Sequence, residues 1–178
     1  MKGRIGRNVS ALALLGALLL LPSSCQKNSY SVFSRKYKVY FKCDTRDVPY
    51  SQLTTPGRFL SVRQLGGRLI VVDPDGHKTE LELTQLESNT FIMGLSGLIL
   101  GTPTFDNEHQ QVWAYDLGCP SCNMPSVRLT VSPVGQATCS KCHGVWDLNS
   151  SGFPLTDGAR TLYRYPVSAQ GTSLTVAN

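Results

Sequence analysis

The sequence predicts an all-β protein, and three observations carry that expectation. Short apolar runs alternate with polar residues at a period of two. Clusters of Gly, Pro and Asp break these runs, and almost no stretch repeats at the 3.6-residue period of an amphipathic helix. Residues 37–43 set Tyr, Val, Phe and Cys against Lys, Tyr and Lys, as a strand with one buried face requires. Residues 59–65 and 69–72 read as two strands separated by Gly66-Gly67. Asp73-Pro74-Asp75-Gly76 reads as a hairpin turn, in preference to a calcium loop, and residues 79–83 alternate again. Residues 98–101, 112–117, 127–131 and 162–167 follow as strands, with 174–176 as an added edge strand. A helical turn over 80–86 competes with the alternation there and is set aside. No internal repeat or low-complexity stretch interrupts the pattern.

The first 24 residues are expected to be a processing segment. Lys2, Arg4 and Arg7 form a basic start, and the apolar run over 11–21 is too short to span a bilayer. Leu21-Pro22-Ser23-Ser24-Cys25 resembles a bacterial lipobox, whose rule places diacylglyceryl on Cys25 with cleavage before it. Several acyl chains on one residue anchor a protein without a spanning helix. The expectation is a domain over 37–178, held on a membrane of the bacterial cell envelope by a polar tether over 25–36. Ordinary secretion with Cys25 unmodified is the alternative. Arg35, Lys36 and Lys38 are read as part of the solvated tether. The formal net charge is +5, of which three charges sit in the first 24 residues, leaving +2. The remaining Lys and Arg are scattered, which argues against a nucleic-acid partner. The expected partner is therefore the membrane, and nothing in the chain identifies a protein partner. About 150 residues suffice for one domain with a real core.

Chemistry concentrates in the cysteines. Four of the six fall as Cys119-Pro-Ser-Cys122 and Cys139-Ser-Lys-Cys142, sixteen residues apart. Each C-x-x-C turn aims two sulfurs the same way, and four thiolates complete a tetrahedral shell around zinc or iron. Pro120 is expected to stiffen the first knuckle and Gly144 to relax the backbone after the second, in a metal subdomain over 113–147. Three outcomes compete: a closed structural zinc site, iron as a single ion or a cluster, and two disulfides, which an oxidising envelope favours. Zinc is the leading expectation, with iron or a [2Fe–2S] cluster as the alternative cofactor. His143 could replace one thiolate as ligand, bond to a thiolate from outside, or pack as a bystander. His77 and His109 are read as solvated, and Trp113 and Trp146 as packing around the site. Asp116 is placed to accept from an amide near the first knuckle. Cys43 reads as a buried free thiol, and Asp44 and Asp47 beside it as a strand end in preference to an acid–base pair. There is no nucleophile–base arrangement and no phosphate loop, so an enzyme is not expected.

The residues around the knuckles resemble a Rieske domain. The family's first box, C-x-H-x-G-C after an aromatic strand, is similar in outline to Val112-Trp-Ala-Tyr-Asp-Leu-Gly-Cys-Pro120. The second box, C-x-C-H-G, resembles Ser140-Lys-Cys-His-Gly144, followed by Trp146, Asp147 and Gly152. Asp157-Gly-Ala159 with 162–167 resembles the return strand, so the similarity spans about residues 90–170. It implies an antiparallel β-sandwich or barrel carrying a rubredoxin-like or zinc-ribbon-like subdomain. A Rieske centre takes two Cys and two His. Carried over, those positions are Ala114, Asp116, Ser140 and His143, of which only His143 keeps a family ligand. Cys119 and Cys142 match a pair that forms a disulfide in some members, and Cys122 and Cys139 are additions. The resemblance thus implies the scaffold with its cluster exchanged for a four-cysteine site. The expected role is binding or assembly at the membrane surface, with iron-based electron transfer as the alternative.

Overall fold

The structure, a computed structural model, describes residues 33–105 and 111–178. The segment expected to be a signal, Cys25, most of the tether and His109 lie outside the described residues. Among those described, the chain forms fourteen strands in three antiparallel sheets, with one short α-helix and a 3-10 turn over Tyr50–Thr54. The strands are β1 (Val39–Asp44), β2 (Phe59–Leu65), β3 (Arg68–Val72), β4 (Lys78–Glu82), β5 (Ile92–Met93), β6 (Leu98–Gly101), β7 (Trp113–Asp116), β8 (Leu129–Val131), β9 (Gln136–Cys139), β10 (Val145–Asp147), β11 (Phe153–Pro154), β12 (Arg164–Tyr165), β13 (Val167–Gln170) and β14 (Ser173–Ala177). The helix, α1, spans Gln85–Thr90. The expected all-β class is what forms.

A six-stranded sheet, in the order β12-β7-β6-β2-β3-β4, occupies the middle. Alternation along its strands sends side chains to two different cores. Leu60, Val62, Leu98, Leu100 and Ala114 meet Val39 and Phe41 of β1 and Leu174 and Val176 of β14, which belong to a small sheet ordered β13-β14-β1-β5. Phe59, Ile99 and Tyr115 face the opposite way, onto Leu129, Ala137 and Trp146 of the sheet β11-β10-β9-β8, whose strand β9 ends in Cys139. Each fully buried large apolar side chain contributes about 1.5–3 kcal/mol. Both faces of β6 are covered, and all four of its residues are buried. This explains why Leu98-Ile99-Leu100 runs apolar without alternating.

Three expectations about elements need correction. Residues 162–167 do not form one strand. Arg164 and Tyr165 pair with β7, whereas Val167 opens β13 in the small sheet, because Pro166 lacks the amide a continuing ladder needs. Residues 174–176 are not at an edge: β14 lies between β13 and β1. The alternation that argued against a helical turn ends at Glu82, and α1 begins just beyond it. Thr84 and Glu87 form its capping box, with Glu87 N donating to Thr84 Oγ1 at 3.2 Å and Thr84 N donating to Glu87 Oε2 at 2.9 Å. Helix α1 buries none of its residues. Strands β9 and β10, which frame the second knuckle, were not anticipated.

Candidate metal centre

The two knuckles are built alike. Strand β7 delivers the first through Leu117 and Gly118, and Cys139 is the last residue of β9. Asn123 N donates to Cys119 O at 2.8 Å, and His143 N donates to Cys139 O at 2.9 Å. Cys119 N donates to Val127 O and Cys139 N to Gly144 O, both at 3.0 Å. Each knuckle closes on a left-handed residue directly after its second cysteine, Asn123 at φ 51° and His143 at φ 56°. The expectation for Gly144 is corrected accordingly, since the strained conformation belongs to His143. Gly144 is required for space, because a Cβ there would stand 2.5 Å from the Trp146 ring.

These turns bring four sulfurs together. Cys119 Sγ lies 3.5 Å from Cys142 Sγ, and Cys122 Sγ lies 3.8 Å from Cys139 Sγ. All four sulfurs are within 4.8 Å of one another. A regular tetrahedron with metal–sulfur bonds of about 2.3 Å has edges of about 3.8 Å. A covalent S–S bond is about 2.05 Å, so both close pairs are non-bonded contacts. Cys119 and Cys139 are buried, Cys122 is half-buried and Cys142 is exposed. Amide donors point at the sulfurs: Cys122 N donates to Cys119 Sγ at 3.4 Å. Burial, ahead of every other influence, pushes the Cys119 and Cys122 thiols up. Burial is the largest single influence on Cys139 and opposes its ionisation, but the amides of Cys142 and Lys141 together with the Cys119 and Cys142 side chains outweigh it and bring that thiol down to about 7. The donor set is all sulfur and closed, which suits zinc or iron.

The neighbours divide into supporting and separate groups. His143 stands outside the set of four clustered donors, and its side chain is exposed. Trp146, on β10, is fully buried and donates Nε1–H to Arg160 O at 2.7 Å. Trp113 packs at the margin of the same core and carries the Arg164 guanidinium 4.1 Å from its ring centroid. Asp116, fully buried, accepts from Gly118 N at 2.6 Å, as expected, and also from Leu95 N at 2.6 Å and Tyr165 Oη at 2.7 Å. Burial raises its pKa, against the opposing pull of these donors. Ala114, at a position the resemblance gives to an iron ligand, faces the other core, and Ser140 is exposed.

Away from the sulfurs, Asp73, Asp75 and His77 also present clustered donor atoms. Their turn is the hairpin the sequence suggests, and the Arg58 guanidinium sits on it, 2.6 Å from Asp75 Oδ2. His77 is exposed, as expected, and its Nδ1 lies 3.1 Å from Asp73 Oδ2. Cys43 is a half-buried free thiol, pushed up to about 12 by burial and then by Asp44 and Asp47. Asp44 pairs with Arg46 at 2.8 Å.

One support of the site was missed. Asn123 Oδ1 accepts from Lys36 Nζ at 2.7 Å, Tyr37 Oη at 2.7 Å and Tyr163 Oη at 3.1 Å. Lys36 is therefore bound to the first knuckle and is no longer counted with a free tether. Asn123 itself was legible, because the residue closing a C-x-x-C turn must accept a left-handed backbone and Asn does so readily. Its distant partners carried no local signal.

Comparison with known proteins gives little to set beside this geometry. No family model matches the sequence, and no curated protein sequence matches it significantly. One solved chain, from a structure described as the complex of reduced oxygenase and oxidized ferredoxin in carbazole 1,9a-dioxygenase, aligns at 14% identity over 78% of this chain and 93% of its own, with a TM-score of 0.38. Likeness at that level leaves the reading of the site to its own residues.

Proposed function

We propose that this protein holds one metal ion on Cys119, Cys122, Cys139 and Cys142, and that the ion is structural zinc. The observation that supports a metal here is the sulfur geometry, since contacts of 3.5 and 3.8 Å fall close to the edge of a tetrahedron of thiolates around one ion, and zinc is the reading taken for a closed four-thiolate shell. A closed four-thiolate shell leaves no position for water or substrate, so the metal holds the knuckles together and performs no chemistry of its own. When bound, zinc replaces the thiol protons and converts its binding free energy into folding free energy for this loop-rich region. The amides of Cys142 and Lys141, which lower the Cys139 thiol, would offset part of the thiolate charge at that ligand. His143 is not required as a ligand. The scaffold is read as Rieske-like with its cluster replaced, the motif outline over 112–120 and 140–144 being the support.

The protein is further read as an envelope lipoprotein anchored through Cys25, in a binding or assembly role at the membrane surface. That part rests on the basic start, the apolar run and the lipobox-like residues 21–25. A second reading, electron transfer by iron on the same sulfurs, is favoured by one observation: Cys142 is exposed, which places a ligand sulfur at the surface within reach of a redox partner.

Metal analysis and a visible spectrum, on protein produced with zinc and iron both supplied, decide between the two. Colourless protein with about one zinc per chain supports the structural reading. Coloured protein with iron in its place overturns it in favour of electron transfer. Anchoring is tested by a fatty-acid probe in cells: label on Cys25 supports it, and unlabelled protein in the soluble periplasm overturns it.

A further inference from the structure

A cavity of about 350 Å³ lies where the edge strand β8 meets β2 and β3 of the middle sheet, and none of the four knuckle cysteines lines it. The pleat explains its composition. Ser61 and Arg63 of β2 stand opposite Val72 and Ile70 of β3, and all four turn away from the core that holds Val62, Leu69 and Val71. Ile70 and Val72 on one side and Leu129 and Val131 on the other give the cavity an apolar wall.

Two guanidinium-bearing side chains converge at one end. Arg128, exposed, directs Nε–H to Ser96 O at 3.4 Å. Arg63 is half-buried, and its Cβ lies 3.1 Å from where a Cβ on the next residue, Gly97, would stand. Both therefore flank the same Ser96–Gly97 step. Neither has a carboxylate partner among the described residues, where the paired arginines are Arg46, Arg58 and Arg68.

The carboxylates of the cavity lie at the other end and are already engaged. Val72 pairs with Ser61, so Asp73 and Asp75 lie beyond Ser61, which is itself two residues along β2 from Arg63. Asp75 holds Arg58 Nη2 at 2.6 Å, and Asp73 accepts the amides of Asp75 and His77 at 3.0 and 2.9 Å. The cavity thus has an uncommitted positive end, an engaged acidic end and an apolar wall between them. A guanidinium offers a planar fork of donors that matches a carboxylate. Asp73 and Asp75 oppose a second negative charge, which restricts the ligand to one acid group. The volume falls at the small end of small-molecule sites, about 300–1,000 Å³.

We propose that this cavity binds a monocarboxylate with a short apolar body, the carboxylate held by Arg63 and Arg128 and the body laid along Val72 and Val131. A free acid and the C-terminus of an apolar peptide share this chemistry. The site is independent of the metal reading and stands or falls separately from it.

The test titrates the full metal-loaded chain calorimetrically with octanoate and with acetyl-trivaline, each beside its uncharged amide. At least one acid is expected to bind at one site per chain, and the tighter of the two names the source of the ligand. Its amide should bind at least about 10-fold more weakly, since the charge-assisted fork is lost. Affinity for the acid should fall as salt rises from about 20 to about 200 mM. Arg63→Gln and Arg128→Gln should each weaken the acid about 5–10-fold. Arg128 is exposed, so its variant should keep the wild-type Tm and reads binding apart from folding. Failure of both acids to bind overturns the proposal, as does an amide that binds as tightly as its acid. Wild-type affinity in Arg128→Gln also overturns it, since the second guanidinium would then hold nothing.

Discussion

Asp116 joins three chain segments at one buried carboxylate: the loop at Leu95, the entry to the first knuckle at Gly118, and Tyr165 of β12. Gly94 beside it leaves no room for a side chain, since a Cβ there would stand 2.3 Å from Asp116 Oδ2. Asparagine has one acceptor oxygen and presents its own hydrogens to the other donors. Asp116→Asn is therefore expected to destabilise the fold by about 1–3 kcal/mol through an unpaired buried donor. The loss should depend on pH in a definite direction. Burial raises the carboxyl pKa in the folded chain, so the native state holds that proton more tightly than the unfolded state. Its contribution is full below the ordinary value of 3.8 and is lost as pH rises through the folded value. The gap between wild type and Asp116→Asn should then be wider at pH 4 than at pH 7, read from urea melts at both. His143 gives a second prediction at this scale. Its left-handed backbone suits glycine, so His143→Gly should keep the full metal content and change stability by at most about 1 kcal/mol, upward. Metal loss in that variant would make the imidazole a ligand after all.

Among the elements, the knuckles differ in kind from the strands around them. Their turns bury Cys119, Pro120, Cys139 and Gly144 and leave Cys142 exposed, so on the proposed reading a shared ion supplies what packing does not. Cys122→Ser and Cys139→Ser should each lose metal and raise hydrogen exchange over 113–147, whereas Cys43→Ser, on β1, should leave metal content unchanged. Equal metal loss in all three would contradict the assignment. Helix α1 depends on a local device instead, and Thr84→Ala should cost about 1 kcal/mol by opening the capping box. That box, Thr84-x-x-Glu87, was legible, yet the alternation of 79–82 immediately before it obscured the change of period. Strands β2 and β6 were readable to their ends because long-range burial and local pattern agree there. The split at Pro166 was readable in principle, since proline cannot continue a ladder. The sulfur cluster was the most legible feature of all, because its spacing is a local constraint. The Lys36–Asn123 contact was not, since it depends on where two distant segments are brought by the sheets.

The molecule as a whole places its middle sheet between two unlike covers. The small sheet β13-β14-β1-β5 covers one face with Val39, Phe41, Leu174 and Val176, and none of the four knuckle cysteines belongs to that core. The other face, Phe59, Ile99 and Tyr115, is covered by a layer in which Cys119 and Cys139 are themselves core residues. Removing the metal should therefore loosen one cover and leave the other. The chain's two tryptophans report this directly, because Trp113 and Trp146 both belong to the second core and none lies in the first. A strong thiol-compatible chelator should shift tryptophan emission to the red and lower the temperature at which it changes, while far-ultraviolet circular dichroism keeps most of its β signal. Restoring metal at about 100 times its dissociation constant should return about 2.7 kcal/mol to the stability of the second layer. If emission and β signal are instead lost together in one transition, the two covers form a single cooperative unit. The knuckle sheet would then be inseparable from the rest of the fold, and the ion would stabilise the entire domain at once.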